Sequence, residues 1–245
     1  MARPRFHLRH APIAEAVIDF RVLNREGILP VSFENLGSLI GVRYAKRSAM
    51  NSLQARFGFD GGKLIDSERI QSVVGWMYQT EAEIAQFRLD GFTFSKIEPY
   101  TTWEEVFQEA IRLWRIYAEA ASPRQVSRVA VRYINRMKLA GPVDLREYLV
   151  APPVLPAPIP QAVREFLTRV YVDDVSRGAS AVLVQALEPP VDPAVVSLIL
   201  DIDAFCEVSA SPEDPALPQV FEQLRQLKND IFFASITEKA AEMYE

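Results

Sequence analysis

The chain has 245 residues and a mass of 27.7 kDa, with 49% hydrophobic and 24% charged residues. This composition is typical of a globular protein with a sizeable core, and it excludes disordered, collagen-like and coiled-coil chains. The net charge of −5 and the pI near 5.3 disfavour nonspecific binding to nucleic acid, which needs a positive field. A local basic patch stays compatible with these values.

Cysteine content and hydropathy indicate the compartment. Cys206 is the single cysteine, so no intramolecular disulfide can form. The first ten residues lack the apolar core of a secretory signal, and no run approaches the roughly 18 apolar residues that span a bilayer. We therefore expect a cytoplasmic protein without a membrane segment.

The first half of the sequence predicts strands and two helices. Residues 12–23 alternate with period two, which indicates a strand with one covered face. Ser32 is predicted to cap a short helix with Phe33, Leu36, Ile40 and Tyr44 on one stripe. Further strands are predicted at 53–59, before a turn at 60–62, and at 71–80, 83–90 and 92–98. Thr102 and Glu105 form a capping box for a long amphipathic helix that Pro123 ends.

The second half opens with a long half-covered strand at 126–139, in which Asn135 falls among apolar positions and is predicted to be buried and hydrogen-bonded. The proline-rich segment 151–160 forbids regular structure. The remaining predicted elements are a short helix at 144–149, strands at 165–173, 179–187 and 195–203, a helix over 220–231 and a last helix over 237–244.

Both halves follow the same order of elements, with a boundary between residues 124 and 125. This predicts an α+β fold in which 1–124 and 125–245 each form a β-α-β-β-β-α unit of one compact body. Its curved, largely antiparallel sheet would pack on long helices, as in helix-grip and TATA-binding-protein-like folds. The segments VFQEAIRLW from Val106 and VFEQLRQLK from Val220 are alike, which duplication or convergence of two amphipathic helices would both explain.

Motifs scattered along the chain carry a family resemblance. They comprise Pro12-Ile13 with Glu15-Ala16, Tyr100 with Trp103-Glu104, Arg132-Tyr133-Ile134-Asn135-Arg136, and Leu224-Arg225 with Lys228-Asn229 before Phe232 and Thr237. With these motifs the chain resembles a sporadically distributed, uncharacterised bacterial family. The resemblance spans nearly the whole chain and implies no activity, cofactor or catalytic residue.

Familiar catalytic and metal motifs are missing from the sequence. His7 and His10 are the only histidines and have no cysteine beside them, which argues against a zinc site. Cys206, between Phe205 and Glu207, is predicted to be a buried structural thiol. No G-x-S-x-G, Walker A or G-x-G-x-x-G motif occurs. We therefore expect no cofactor or resident metal.

One charged surface carries the binding hypothesis. Three arginines recur every four residues, about 13 Å apart along the 126–139 strand, and the polar positions of the 12–23 strand would share their face. The candidate ligand-binding residues are Glu15, Asp19, Arg21, Arg128, Arg132, Arg136 and Lys138. Arginine forks would bind an anion there, and Asp19 or Glu15 could hold a magnesium ion beside a phosphate. A solvated face of cross-strand ion pairs explains the same pattern without any ligand.

The sequence thus favours a noncatalytic binding or regulatory module for a protein partner or a small anionic ligand. An enzyme acting on a phosphorylated or nucleotide-like substrate through the charged face is the alternative. Nucleic-acid binding through the same arginines is the third hypothesis. The sequence is also compatible with an oligomer.

Overall fold

A computed structural model describes residues 8–24, 26–60, 63–141, 143–188 and 195–245. Within these ranges the chain forms nine strands, four α-helices and two turns of 3-10 helix. The first half contains β1 (Ile13–Leu23), 3-10 turn Pro30–Phe33, α1 (Gly37–Ile40), β2 (Lys46–Asp60), β3 (Lys63–Gln79), β4 (Glu83–Arg88), β5 (Gly91–Ile97) and α2 (Trp103–Ala121). The second contains β6 (Gln125–Ala140), 3-10 turn Leu145–Glu147, β7 (Phe166–Asp174), β8 (Ala179–Glu188), β9 (Val195–Ala210), α3 (Leu217–Ser235) and α4 (Glu238–Glu242).

All nine described strands join one antiparallel sheet in the order β2-β3-β4-β5-β1-β6-β9-β8-β7. The α+β class and the large antiparallel sheet are therefore confirmed. The first strands of the two halves, β1 and β6, pair at the centre. In each half the last strand before the long helix, β5 or β9, lies directly outside that central strand.

The long helices cover one face of the sheet, because α2 packs on β1 and β5 while α3 packs on β6, β8 and β9. The core-facing positions of β1 include Ile18 and Phe20, both fully buried. Phe20 lies parallel to Trp114 of α2 at 4.1 Å and contacts Phe221 of α3 at 4.9 Å between ring centres. One aromatic side chain thus joins both halves in the same core.

The capping prediction for α2 is confirmed: Thr102 Oγ1 accepts a hydrogen bond from the amide of Glu105. The helix ends as expected before Pro123, with Ser122 in a left-handed conformation. Trp103 and Trp114 are buried, as is Cys206.

The prediction of one short helix capped by Ser32 is wrong. The structure has a 3-10 turn that begins at Pro30 and, separately, the single turn of α1. Gly41 has a φ of 106°, which no right-handed helix accommodates, so the helix ends there. The apolar stripe of this segment is nevertheless buried, as predicted, at Phe33, Leu36, Ile40 and Tyr44.

Other boundaries shift modestly. The strand predicted at 53–59 extends over all of β2, whereas the tip of the predicted turn, 61–62, lies outside the described residues. The predicted helix 144–149 is only the 3-10 turn Leu145–Glu147. Among the described residues, no helix is both long and apolar enough to cross a membrane.

Candidate functional site

The predicted charged face exists as a physical surface of the sheet. Asp19 lies opposite Ala130, Arg21 opposite Arg128, and Val17 opposite Arg132 in the β1–β6 ladder. Opposite residues of an antiparallel pair share a face, so the acidic and basic candidates lie together on the side away from α2 and α3. We call this side the outer sheet face. The remaining candidates, Glu15, Arg136 and Lys138, lie on it by the alternation of the same two strands.

The arginines of the outer sheet face all contact carboxylates. Arg132 holds Asp201 through two hydrogen bonds of 2.8 and 2.6 Å. Arg136 lies 3.5 Å from Glu188. Arg21 pairs with Asp19 at 3.3 Å and with Asp90, and Arg128 lies 3.6 Å from Asp19 and 3.3 Å from Asp203. In the described part of the chain, Glu15 and Lys138 make no ion pair.

Asp19 is the centre of this network. Its side chain is only 13% exposed and accepts hydrogen bonds from Thr93 at 2.6 Å and from Arg88 at 3.1 Å. The Arg88 side chain is equally enclosed, at 11% exposure. Burial raises the pKa of Asp203, against the lowering effect of Arg128 and Arg132. In these contacts the arginines of the outer sheet face pair with carboxylates of the protein itself. The positive and negative charges on this face therefore largely cancel.

A cavity of about 790 Å³ lies on the other side of β6 and at the end of β1. Its wall is built from the segment 8–14, the loop 98–102, the first turn of α2, β6, α3 and residues 243–244. The amide of His10 donates to the carbonyl of Tyr244 at 3.0 Å, which joins two remote parts of the wall. This volume is in the usual range for small-molecule sites.

Lys228 of α3 is the unusual group of the cavity. Its residue is 7% exposed, and its Nζ lies 3.6 Å from the centre of the Tyr133 ring. No carboxylate or hydrogen-bond acceptor among the described residues holds this amine. Burial, with a smaller contribution from the charge of Arg225, lowers the pKa of Lys228 to about 7. The amine therefore changes protonation state near neutral pH.

Two phenols and an arginine complete this wall. The hydroxyls of Tyr100 and Tyr133 are hydrogen-bonded at 2.9 Å. Burial raises the pKa of both hydroxyls, so they stay neutral hydrogen-bonding groups. Arg225 binds Glu222 at 2.9 Å, and its guanidinium lies 5.5 Å from the ring centre of Trp103.

Asn135 lies on the same wall and is buried, as predicted. Its Nδ2 donates to the carbonyl of Leu200 at 2.9 Å, which fixes the side chain across β6 and β9. The amide is thus held by the backbone while it lines the cavity.

Basic residues outnumber acidic ones on the cavity wall. Among the described residues that line it, Glu98 and Glu104 are the acidic ones, and Arg9, His10, Arg225 and Lys228 are the basic ones. Arg136 and Lys138 border the cavity from β6, but their side chains belong to the outer sheet face. Aromatic side chains supply an apolar lining: Tyr100, Trp103, Tyr133, Phe232, Phe233 and Tyr244. In a chain of net charge −5, this concentration of cations is local, and it favours an anion with an apolar body.

Comparison of the sequence with protein-family models and with curated proteins finds no match. The motifs behind the family resemblance nevertheless converge in space. Residues from all four groups line the cavity: Pro12, Ile13, Tyr100, Trp103, Glu104, Tyr133, Asn135, Arg136, Arg225, Lys228, Asn229 and Phe232.

Sequence reasoning did not single out Lys228 as a site residue. The signal was present, because Lys228 interrupts the apolar stripe of Leu224, Leu227 and Ile231 on α3. A lysine at a core-facing helical position is costly unless something compensates its charge. Arg225 has no comparable signal, since arginines are ordinary on a helix surface.

Proposed function

We propose that this protein is a binding module that takes a small anionic ligand into the cavity beside Lys228. The observation that carries the proposal is a buried amine without a counter-charge at the wall of a cationic cavity. Removing an ammonium from water is costly unless an anion or hydrogen bonds replace the water. An oxyanion of the ligand, carboxylate or phosphate, would supply that compensation.

The walls define the rest of the ligand. The Tyr100 and Tyr133 hydroxyls are hydrogen-bonded to each other at 2.9 Å, which uses one of their two protons and leaves the other to be donated to an oxyanion. Trp103 and Phe232 offer apolar surface for a ring or a short chain. The favoured ligand class is therefore an aromatic or aliphatic acid or phosphate ester of metabolite size.

Isothermal titration calorimetry with phenylacetate and phenyl phosphate tests this proposal, with phenylacetamide and phenol as uncharged counterparts. We expect the anions alone to bind, and Lys228→Met to abolish their binding. Lys46→Met removes an exposed lysine outside the cavity and should bind like the wild type. Equal binding of charged and uncharged probes, or unchanged binding by Lys228→Met, would refute the proposal.

Proton uptake supplies an independent measurement. An anion beside Lys228 favours the charged amine, so binding at pH 8 should take up a proton. Titrations in two buffers of different ionisation enthalpy measure that uptake directly. Binding without proton uptake would place the ligand away from Lys228.

An enzyme acting on a phosphorylated substrate at the outer sheet face has less support. Arg128, Arg132 and Arg136 already contact carboxylates there. Nucleic-acid binding by these arginines meets the same objection, and its test is a steep loss of affinity with salt.

The strand order also supports an origin by duplication. From the outside of the sheet towards the central strands β1 and β6, the orders β3-β4-β5-β1 and β7-β8-β9-β6 are equivalent. In each half a long helix follows the strand next to the central one: α2 follows β5, and α3 follows β9. A relation to helix-grip or TATA-binding-protein-like folds, and membership of the sporadically distributed bacterial family, remain parts of the proposal.

A further inference from the structure

Strand β7 forms one edge of the sheet and is exposed on both faces. It pairs with β8 on one side, and no described strand pairs with its other side. Seven of its nine residues, 167–173, are exposed, including Leu167 at 71% and Tyr171 at 53%. An exposed edge with apolar side chains is a template for pairing with another strand.

Several devices that usually protect a sheet edge are missing from β7, although the strand does carry the charged residues Arg169, Asp173 and Asp174. The strand has no proline, lysine or glycine, and its ladder with β8 runs without a register shift from Phe166 to Asp174. Val170 and Val172 are exposed on the face that carries the helices elsewhere in the sheet. The edge is therefore regular and open.

From this geometry we infer that β7 is a dimerisation strand that pairs antiparallel with β7 of a second copy of this chain. A twofold axis through Tyr171, perpendicular to the sheet, makes the sequence of the strand complementary to itself. Arg169 of each copy then lies opposite Asp173 of the other, and Val170 lies opposite Val172. The two nine-stranded sheets would join into one continuous sheet.

Charge complementarity favours a second copy of this chain as the partner of β7, and it also favours one register of the two strands. Neither Arg169 nor Asp173 makes an ion pair within the described part of its own chain; Asp173 accepts one hydrogen bond, from Ser180. Both lie on the outer sheet face with Tyr171, so directly opposite side chains would be about 5 Å apart at Cβ. A shift of the axis to Val170 or Val172 moves Arg169 away from Asp173. Twofold symmetry makes the favourable pair occur twice.

Charge reversal tests the pairing directly. We expect light scattering coupled to size exclusion to give twice the monomer mass of 27.7 kDa for the wild-type chain. Arg169→Glu or Asp173→Arg alone places like charges opposite each other and should weaken the dimer at least tenfold. The double variant restores two opposite-charge pairs and should recover the dimer.

Arg115→Glu is the matched control, because Arg115 is exposed on α2, far from β7 in the sheet order, and the charge change is the same. Circular dichroism checks that each variant is folded. A monomeric wild type at micromolar concentration would overturn the inference. A dimer that both single variants leave intact, or that the double variant fails to restore, would do the same.

Discussion

The amino group of Lys228 lies over the face of the Tyr133 ring, 3.6 Å from its centre, with no carboxylate of the described residues to balance it. The ring partly compensates the charged amine through a cation–π contact. Burial acts in the opposite direction and lowers the pKa of Lys228 to about 7 from 10.5 in an unfolded chain. This single group should make the stability of the protein depend on pH.

Stability relative to Lys228→Met should rise between pH 7 and pH 9. In that window the unfolded chain binds the lysine proton and the native chain releases it, so higher pH favours the native state. The wild-type minus variant difference in the free energy of unfolding should increase by up to about 1.4 kcal/mol per pH unit. Urea unfolding at several pH values measures it. A difference that stays constant would mean that the native pKa of Lys228 is not depressed.

Asp19→Asn should be strongly destabilising, whereas Glu15→Gln should not. Asp19 is the more enclosed of the two carboxylates on Arg88, since Asp90, 2.9 Å from the Arg88 Nε, is 61% exposed. Neutralising Asp19 leaves the enclosed guanidinium with Asp90 alone, so the expected cost is about 2 to 3 kcal/mol, below that of a buried charge left without any partner. Glu15 makes no ion pair with the described residues, so its neutralisation should cost within about 0.5 kcal/mol. Equal effects in urea unfolding would contradict the central role of Asp19.

Arg132→Ala should cost about 1 kcal/mol and Arg136→Ala within about 0.5 kcal/mol. The Arg132 pair has two hydrogen bonds, but its arginine side chain is 45% exposed and solvent screens the interaction. The Arg136 pair is longer and exposed on both partners. Thermal and urea unfolding give both values. A loss of several kcal/mol from Arg136→Ala would identify an internal network at that end of β6.

Gly91→Ala should destabilise the fold by about 2 kcal/mol. Gly91 has a φ of 153°, and a Cβ there would collide with the carbonyl oxygen of Phe20 in the neighbouring strand. Gly37 provides the control, since a Cβ there meets nothing within 4 Å and α1 would gain a better helix former. We expect Gly37→Ala to stabilise by about 0.5 kcal/mol in the same unfolding assay. A neutral Gly91→Ala variant would show that β1 and β5 can separate at little cost.

Local patterns predicted much of the fold because their causes are local. The capping box of Thr102, the alternation around Phe20 and the isolated polar Asn135 each depend on neighbours along the chain. The wrong helix before Tyr44 has the same origin: its apolar spacing is real, but the 3-10 turn ends at Phe33, and the φ of 106° at Gly41 ends α1 before Tyr44.

The candidate site was less accessible to sequence reasoning, because it depends on which strands become neighbours. The alternation of β1 and β6 predicted a common charged face. It could not predict that Asp203 and Asp201 of β9 form ion pairs with Arg128 and Arg132 on that face. Nor does spacing bring Lys228 to Tyr133, since the two lie on different elements joined only by the tertiary packing of α3 on β6.

The placement of Phe20 between Trp114 and Phe221 has a consequence for dissecting the molecule. A chain divided between residues 124 and 125 would expose β1 on one fragment and β6 on the other, and Phe221 would lose its contacts with Phe20 and Phe107. Neither fragment should hold its tertiary structure alone. Mixed together, they have the matching surfaces to assemble, so fragment complementation offers a way to label one half of the protein isotopically while the other stays invisible.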